Sequence, residues 1–330
     1  MKKIELSAYG VPEDVARCVE APDVGAPGPG EVVFDVLAFP INPADIGFCR
    51  GHYRIKPPLP ATPGAECVGR VSAVGEGVAH VKPGDLVINL ARENWASARR
   101  VKAEDAVPVP SGLDLKQAAM LRINPPTAML LLSDIVNLKP GDWLIQNVAN
   151  SAVGRLVVTL GKARGLRTIN VTRREDVFGE LTALGADVCL IDGDDLPARV
   201  AEATGGANIR LGLDAVAGAA TARIASCVAD EGTVCTYGGM SGAAPEVSVA
   251  DLVFRGVTFT GFMLGRFLAQ RSAEDIRAIY ADLGGQMAKG AIHAPIDSVY
   301  QIEDIREALI RAQTGGRHGK VLVSPGGEVG

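Results

Sequence analysis

Between Trp143 and Phe262 short apolar runs rich in β-branched residues alternate with helical or loop segments, and this alternation limits the fold more than any other feature. The runs are WLIQNVA, RTINVT, VCLID, RLGLDAV, TVCTYG and VTFTGF, with a helix expected from Val153 to Arg164 after the first. Strands separated by helices pair in parallel, because each crossover returns the chain to the same end of the sheet. The expected fold class is therefore α/β, with a doubly wound parallel sheet.

The flanks have another texture. Residues 1 to about 120 are rich in Pro and Gly, with alternating runs such as EVVFDVLAF and ECVGRVSAVG set between turn signals such as PGPGE and KPGD. That pattern predicts an irregular β-rich unit. The stretch DLKQAAMLRINPPTAMLLLSDIV is helical in period, with an interruption expected near Pro125 and Pro126. Residues 273–288 have a helical pattern, and AIHAPIDSVY and GKVLVSP return to strand-like runs. The simplest architecture is one β-rich domain built from both ends, residues 1–121 and 265–330, with a sheet domain of residues 122–264 inserted.

Composition excludes several classes. A chain of 330 residues with 47% hydrophobic and 22% charged residues is globular, and a net charge of −5 gives no reason to expect nucleic acid or an anionic membrane as partner. No apolar run reaches the roughly 18 residues a membrane span needs. The N-terminal MKKIELSAYG lacks the apolar stretch of a signal peptide. Six cysteines (18, 49, 67, 189, 227 and 235) are scattered with no CxxC pair, which fits reduced thiols and a cytoplasmic setting.

A Gly-rich phosphate turn normally follows the first strand of such a sheet. Here the slot is Ala149-Asn150-Ser151-Ala152-Val153-Gly154, with only the last glycine kept. Small residues still let a pyrophosphate approach the backbone, and a helix start offers free N–H groups. Asn150 and Ser151 add side-chain donors; equally, they are ordinary cap residues. After the next strand stand Arg173 and Arg174, where an acid for a ribose 2′-hydroxyl is usual. Guanidinium groups there suit a 2′-phosphate, and so NADPH. The alternative is a solvated charged helix start, since Glu175 and Asp176 follow.

The segment from Asn42 to Glu66 is similar to the opening of a zinc alcohol dehydrogenase with its ligands replaced: Asn42 stands for a Cys, and Gly64-Ala65-Glu66 for Gly-His-Glu. Cys49, His52, Glu66 and Cys67 do not restore the ligand placement, and residues 85–105 hold no cysteine for a structural zinc lobe. No metal is expected. Asp45 is placed to cap the helix after Asn42-Pro43, Glu66 to face an arginine, and His52 to lie in a loop, where it can tune a proton path.

Several motifs together carry a family resemblance: Arg50-Gly51-His52-Tyr53, Ile123-Asn124-Pro125-Pro126-Thr127-Ala128, the run from Ile145 to Gly154, Leu166 to Val171, and Thr236-Tyr237-Gly238-Gly239-Met240. The chain resembles the medium-chain dehydrogenase/reductases over its whole length, and most of all their zinc-independent 2-enoyl thioester reductases of mitochondrial type. The resemblance implies a GroES-like catalytic domain and a Rossmann NADP-binding domain. It implies hydride addition to the β-carbon of a 2-enoyl thioester, with Tyr53 helping to deliver a proton to the α-carbon. It puts cofactor contacts on Asn124, on Asn150, Ser151, Ala152 and Val153, on Arg173 with Arg174 beside it, on Tyr237, Gly238, Gly239 and Met240, on Phe262, Met263, Leu264 and Gly265, and on Lys320. The substrate pocket is expected at Asn42, Trp95 and Met263.

Chemistry supports the role of Tyr53. Conjugate hydride addition builds enolate charge that must be stabilised and then protonated. A tyrosine hydroxyl, protonated at neutral pH, can do both without a metal. The bland alternative is a loop tyrosine packed on Pro57-Pro58-Leu59-Pro60. The chain departs from the family where Met263 follows Gly261-Phe262 in place of a tryptophan, where Glu93-Asn94-Trp95 replaces Gly-Thr-Trp, and where the second arginine after RTINV is displaced. These departures leave open a different enoyl substrate, or a small enal, enone or quinone; a non-catalytic nucleotide-binding role is a separate, remote alternative. The resemblance also implies a homodimer formed along the VTFTGF strand.

Overall fold

The computed structural model describes residues 1–53 and 55–329. It divides into two compact units: residues 1–123 with 272–330, and residues 124–271.

In the first unit the strand Glu31–Pro40 is the centre of a mixed sheet. It pairs antiparallel with Val68–Val74, Ala98–Lys102 and Lys320–Ser324. Lys320–Ser324 pairs in turn, in parallel, with Ile296–Gln301. The strand is long and almost wholly apolar because it is buried on both faces. One core forms around Phe34, Phe39, Val71 and Trp95, closed by the helix Ile305–Gln313 through Ile305, Ala308 and Leu309. Trp95 stacks on Phe39 with ring centroids 5.7 Å apart, a pairing worth about 1 kcal/mol beyond burial.

The predicted helical stretch is interrupted just before its prolines. The structure has a short helix Leu115–Ala118, then a break, then a helix Asn124–Ser133 that contains Pro125 and Pro126 in its first turn. Proline is tolerated there, since first-turn N–H groups have no helical partner.

In the second unit six parallel strands run, edge to edge, in the order Val188–Ile191, Arg167–Thr172, Trp143–Gln146, Ile209–Asp214, Thr233–Thr236, Thr258–Gly261. Chain order is 3-2-1-4-5-6, so the sheet reverses direction between Trp143–Gln146 and Ile209–Asp214. Ligands of such sheets bind at the carboxyl ends of the strands beside that point. The unit runs to Arg271, which donates to the carbonyl of Phe267 and pairs with Asp134 of the same unit.

Candidate functional site

The helix Pro43–Cys49 starts at Asn42 with proline in its first turn. Asp45, fully buried, closes that start: its carboxylate accepts from the N–H of Asn42 at 2.9 Å and from that of Ala65 at 2.9 Å. This is the capping role expected of it. Burial raises its pKa, against the pull of those N–H groups and of Arg92 and Lys320.

With the cap made by Asp45, the side chain of Asn42 turns inward. Its amide nitrogen donates to Glu66 Oε1 at 2.8 Å, and its oxygen accepts from the Lys320 ammonium. The other Glu66 oxygen accepts from the N–H of Ile123 at 2.9 Å. Burial pushes the Glu66 carboxyl up to about 6, with Lys320, Asn42 and Arg122 opposing. Burial lowers the pKa of Lys320, opposed by Glu66 and Asp45. The expected arginine is only a secondary partner of Glu66: Arg122 donates to the carbonyls of Ala65 and Leu90, and the cation acting most on Glu66 is Lys320.

This cluster does not fit zinc. The Asn42 oxygen already accepts a hydrogen bond from an ammonium, and an ammonium is no ligand. Burial pushes the thiols of Cys49 and Cys67 up to about 12. Among the described residues no group of three or more His, Cys, Asp or Glu is arranged to hold a metal ion.

Three residues of the expected site are buried in the first unit. The sequence reading puts Lys320 on the cofactor and Asn42 on the substrate; the structure joins them to each other in the interior of the first unit, at 8% and 3% exposure. Trp95, expected in the pocket, has no exposed surface and belongs to the core. Its place follows from the close approach of Gly64, where a Cβ would stand 2.6 Å from the Trp95 nitrogen.

Tyr53 lies just past the helix, with its N–H donating to the carbonyl of Gly47 at 3.2 Å. The ring is half-buried against the core, and its face lies 5.0 Å from the Arg92 guanidinium carbon. Its hydroxyl makes no hydrogen bond among the described residues. The proline run is held by a different tyrosine, since Tyr9 donates to the Pro57 carbonyl at 2.8 Å. His52 is exposed beside Tyr53.

In the second unit most of the residues expected on the cofactor follow strands at one end of the sheet. Asn150 to Val153 follow strand Trp143–Gln146, Arg173 and Arg174 follow Arg167–Thr172, Tyr237 to Met240 follow Thr233–Thr236, and Phe262 to Gly265 follow Thr258–Gly261. All are carboxyl ends of parallel strands. Ser151 caps the helix Ala152–Ala163, accepting from the N–H of Gly154 at 3.1 Å, and keeps its own O–H to donate. A Cβ on Gly154 would stand 2.5 Å from the Ala149 carbonyl, so the surviving glycine is the one that lets strand and helix meet. Arg173 is exposed and makes no ion pair among the described residues, whereas Arg174 pairs with Asp176 at 3.1 Å. Of the two, Arg173 is the free cation. The Tyr237 hydroxyl is buried facing Ser151, and the Asn124 amide nitrogen is buried without a partner among the described residues. Met240 and Met263 are exposed. The helix N-terminus at Ser151 and the guanidinium of Arg173 fit a phosphorylated dinucleotide.

Sequence reasoning missed the residue that holds this end of the sheet together. Asp214, fully buried, accepts from Asn147 at 2.6 Å, from the N–H groups of Val216 and Ala217 at 2.9 and 3.1 Å, and from the Thr221 hydroxyl at 2.6 Å. An acid ending the apolar run RLGLD was the available signal. Val148, just before the phosphate turn, has φ of +50°, a strained value for a β-branched residue.

Fold and site define an oxidoreductase of two parts. Residues 28–111 match the alcohol dehydrogenase GroES-like domain and residues 152–281 the zinc-binding dehydrogenase family. The chain is 35% identical to the mitochondrial enoyl-[acyl-carrier-protein] reductase of Bos taurus, over 93% of this chain and 85% of that protein. Among solved structures it is similar to the Escherichia coli quinone oxidoreductase complexed with NADPH, with TM-score 0.90, 26% identity and coverage of 98% and 100% of the two chains. It is also similar to the mitochondrial 2-enoyl thioester reductase heterodimer of Candida tropicalis, with TM-score 0.85, 25% identity and coverage of 98% and 99%. The chain belongs to the medium-chain dehydrogenase/reductase family, in the group of the mitochondrial enoyl-[acyl-carrier-protein] reductases. No helix among the described residues is long and apolar enough to cross a membrane.

Proposed function

We propose that this enzyme reduces the C2=C3 double bond of 2-enoyl thioesters with NADPH, without a metal. The observation that carries the reading is the 35% identity to an enoyl-[acyl-carrier-protein] reductase along nearly the whole chain. The cofactor, when bound, supplies a hydride to the β-carbon. Asn150 to Val153 hold its pyrophosphate at the helix N-terminus, and Arg173 pairs with its 2′-phosphate. Tyr237 to Met240 and Phe262 to Gly265 line the same end of the sheet. Tyr53 delivers the proton to the α-carbon and recovers it from water. The buried set Asn42, Glu66 and Lys320 fixes the helix that leads to Tyr53. Lys320 is thus proposed as a support within the first unit and not as a cofactor contact. The working form is a homodimer, and the free thiols suit a reducing compartment such as the cytoplasm.

A second reading has its own support. The similar Escherichia coli structure is a quinone oxidoreductase, and reduction of a quinone or enone needs the same hydride and proton. NADPH oxidation with crotonyl-CoA, trans-2-hexenoyl-CoA and trans-2-decenoyl-CoA, beside 1,4-benzoquinone and with EDTA in one arm, separates the two. Turnover of an enoyl-CoA that is indifferent to EDTA supports the first. Quinone turnover with inert thioesters moves the enzyme to the second, and loss of activity in EDTA overturns the metal-free mechanism.

A further inference from the structure

Among the described residues the guanidinium of Arg92 makes no ion pair. It lies over two rings, 5.0 Å from the centroid of Tyr53 and 5.7 Å from that of Phe48. Its Nη2 is buried and has no hydrogen-bond partner among the described residues. The neighbouring acid does not neutralise it, because Glu93 pairs with Arg99 at 3.3 Å. The buried carboxylate of Asp45 feels its charge, but the Asp45 oxygens accept the N–H groups of Asn42 and Ala65. The backbone at Arg92 is pinned, since its carbonyl accepts from the Arg99 guanidinium at 3.1 Å. A cation stacked on aromatic faces is held in place without using its N–H donors. A partly buried, unpaired N–H donor is costly unless an acceptor arrives.

We propose that Arg92 is a further catalytic residue, an oxyanion donor for the enolate formed on the substrate. The inference rests on the reductase reading above. When a hydride from NADPH forms the C3–H bond, the C2=C3 π pair shifts and leaves the negative charge on the C1 oxygen. Arg92 donates to that oxygen. The enolate then collapses, the C2–H bond forms with the Tyr53 proton, and the phenolate is reprotonated by water. The thioester leaves reduced by two electrons and two hydrogens, and NADPH leaves as NADP⁺. Tyr53 and its hydroxyl move as one rigid ring, so an acyl group held at that hydroxyl lies within reach of the guanidinium stacked on it. A preorganised donor at a developing oxyanion is commonly the largest single contribution to rate.

The test uses the full chain, with Arg92→Met and Arg92→Lys beside the parent. The first readout is kcat on crotonyl-CoA, expected to fall roughly 100-fold in Arg92→Met, with partial recovery in Arg92→Lys and an unchanged Kd for NADPH. The second needs no turnover. Acetoacetyl-CoA has no C2=C3 double bond but enolises, and its enolate has a near-ultraviolet absorption band. The parent should raise the bound enolate fraction, and Arg92→Met should lose at least tenfold of that enrichment at equal melting temperature. An enolate band that depends on Arg92 upholds the proposal even if no enoyl thioester is turned over, in which case the thioester reading fails alone. No enolate enrichment in the parent, or equal enrichment and kcat in parent and variants, overturns it.

Discussion

The Lys320 ammonium is hydrogen-bonded to the side-chain oxygen of Asn42, whose nitrogen donates to Glu66 at 2.8 Å. A buried amide thus bridges a cation and an anion. The folded-state pKa of Glu66, about 6, lies above its ordinary 4.5, so its contribution to stability is fully present below about pH 4.5 and is lost as pH rises through about 6. Across that window the parent should lose about 2 kcal/mol relative to Glu66→Gln. Lys320→Met removes the cation that opposes burial. It should cost about 3 kcal/mol near pH 7, with the deficit shrinking on acidification as Glu66 becomes protonated. Urea denaturation of the three proteins from pH 4 to 8 checks both signs. A parent and a Glu66→Gln variant with parallel pH profiles would sink the assignment.

Tyr53→Phe keeps the ring under Arg92 and removes only the hydroxyl. A proton donor used in the transition state alone is expected to cost about 100-fold in kcat, with NADPH affinity unchanged. Steady-state kinetics and a fluorescence titration of NADPH give the two numbers, and a variant as fast as the parent would remove Tyr53 from the mechanism.

Arg173→Ala should weaken NADPH binding by tenfold or more and leave NADH binding nearly unchanged, because only the 2′-phosphate meets the free guanidinium. Arg174→Ala is the internal control, since that side chain is already paired with Asp176. A parent that binds NADPH and NADH equally well would refute the phosphate-reading role.

What was legible in the sequence followed from local patterns. Six apolar β-rich runs between helices determine a parallel sheet, and the order of such sheets puts Asn150, Arg173 and Tyr237 at one end. Ser151 as helix cap and Asp45 as the closing acid follow from residue type and spacing. What was hidden depends on distance in space. Asn42 and Lys320 are 278 positions apart, so nothing local says that they meet. Trp95 looked like a pocket residue because its neighbours resemble one, yet the close approach of Gly64 turns it into the core. Arg92 was overlooked because a lone arginine in a turn normally faces solvent, and only the ring contacts at Phe48 and Tyr53 set it apart.

The sheet of the second unit ends at Thr258–Gly261, which among the described residues pairs only with Thr233–Thr236 and leaves its other edge open. Directly before it the helical turn Ala250–Phe254 exposes Val253 at 67% and Phe254 at 82%. An open strand edge beside exposed apolar side chains is a surface that a second copy can cover, by extending the sheet and burying the patch. Light scattering coupled to size exclusion should give a dimer for the parent. Phe254→Asp, which buries a carboxylate in such an interface, should shift it to monomer at micromolar concentration without lowering the melting temperature of the monomer. A variant that stays dimeric would place the contact elsewhere, and a monomeric parent would end the dimer reading altogether.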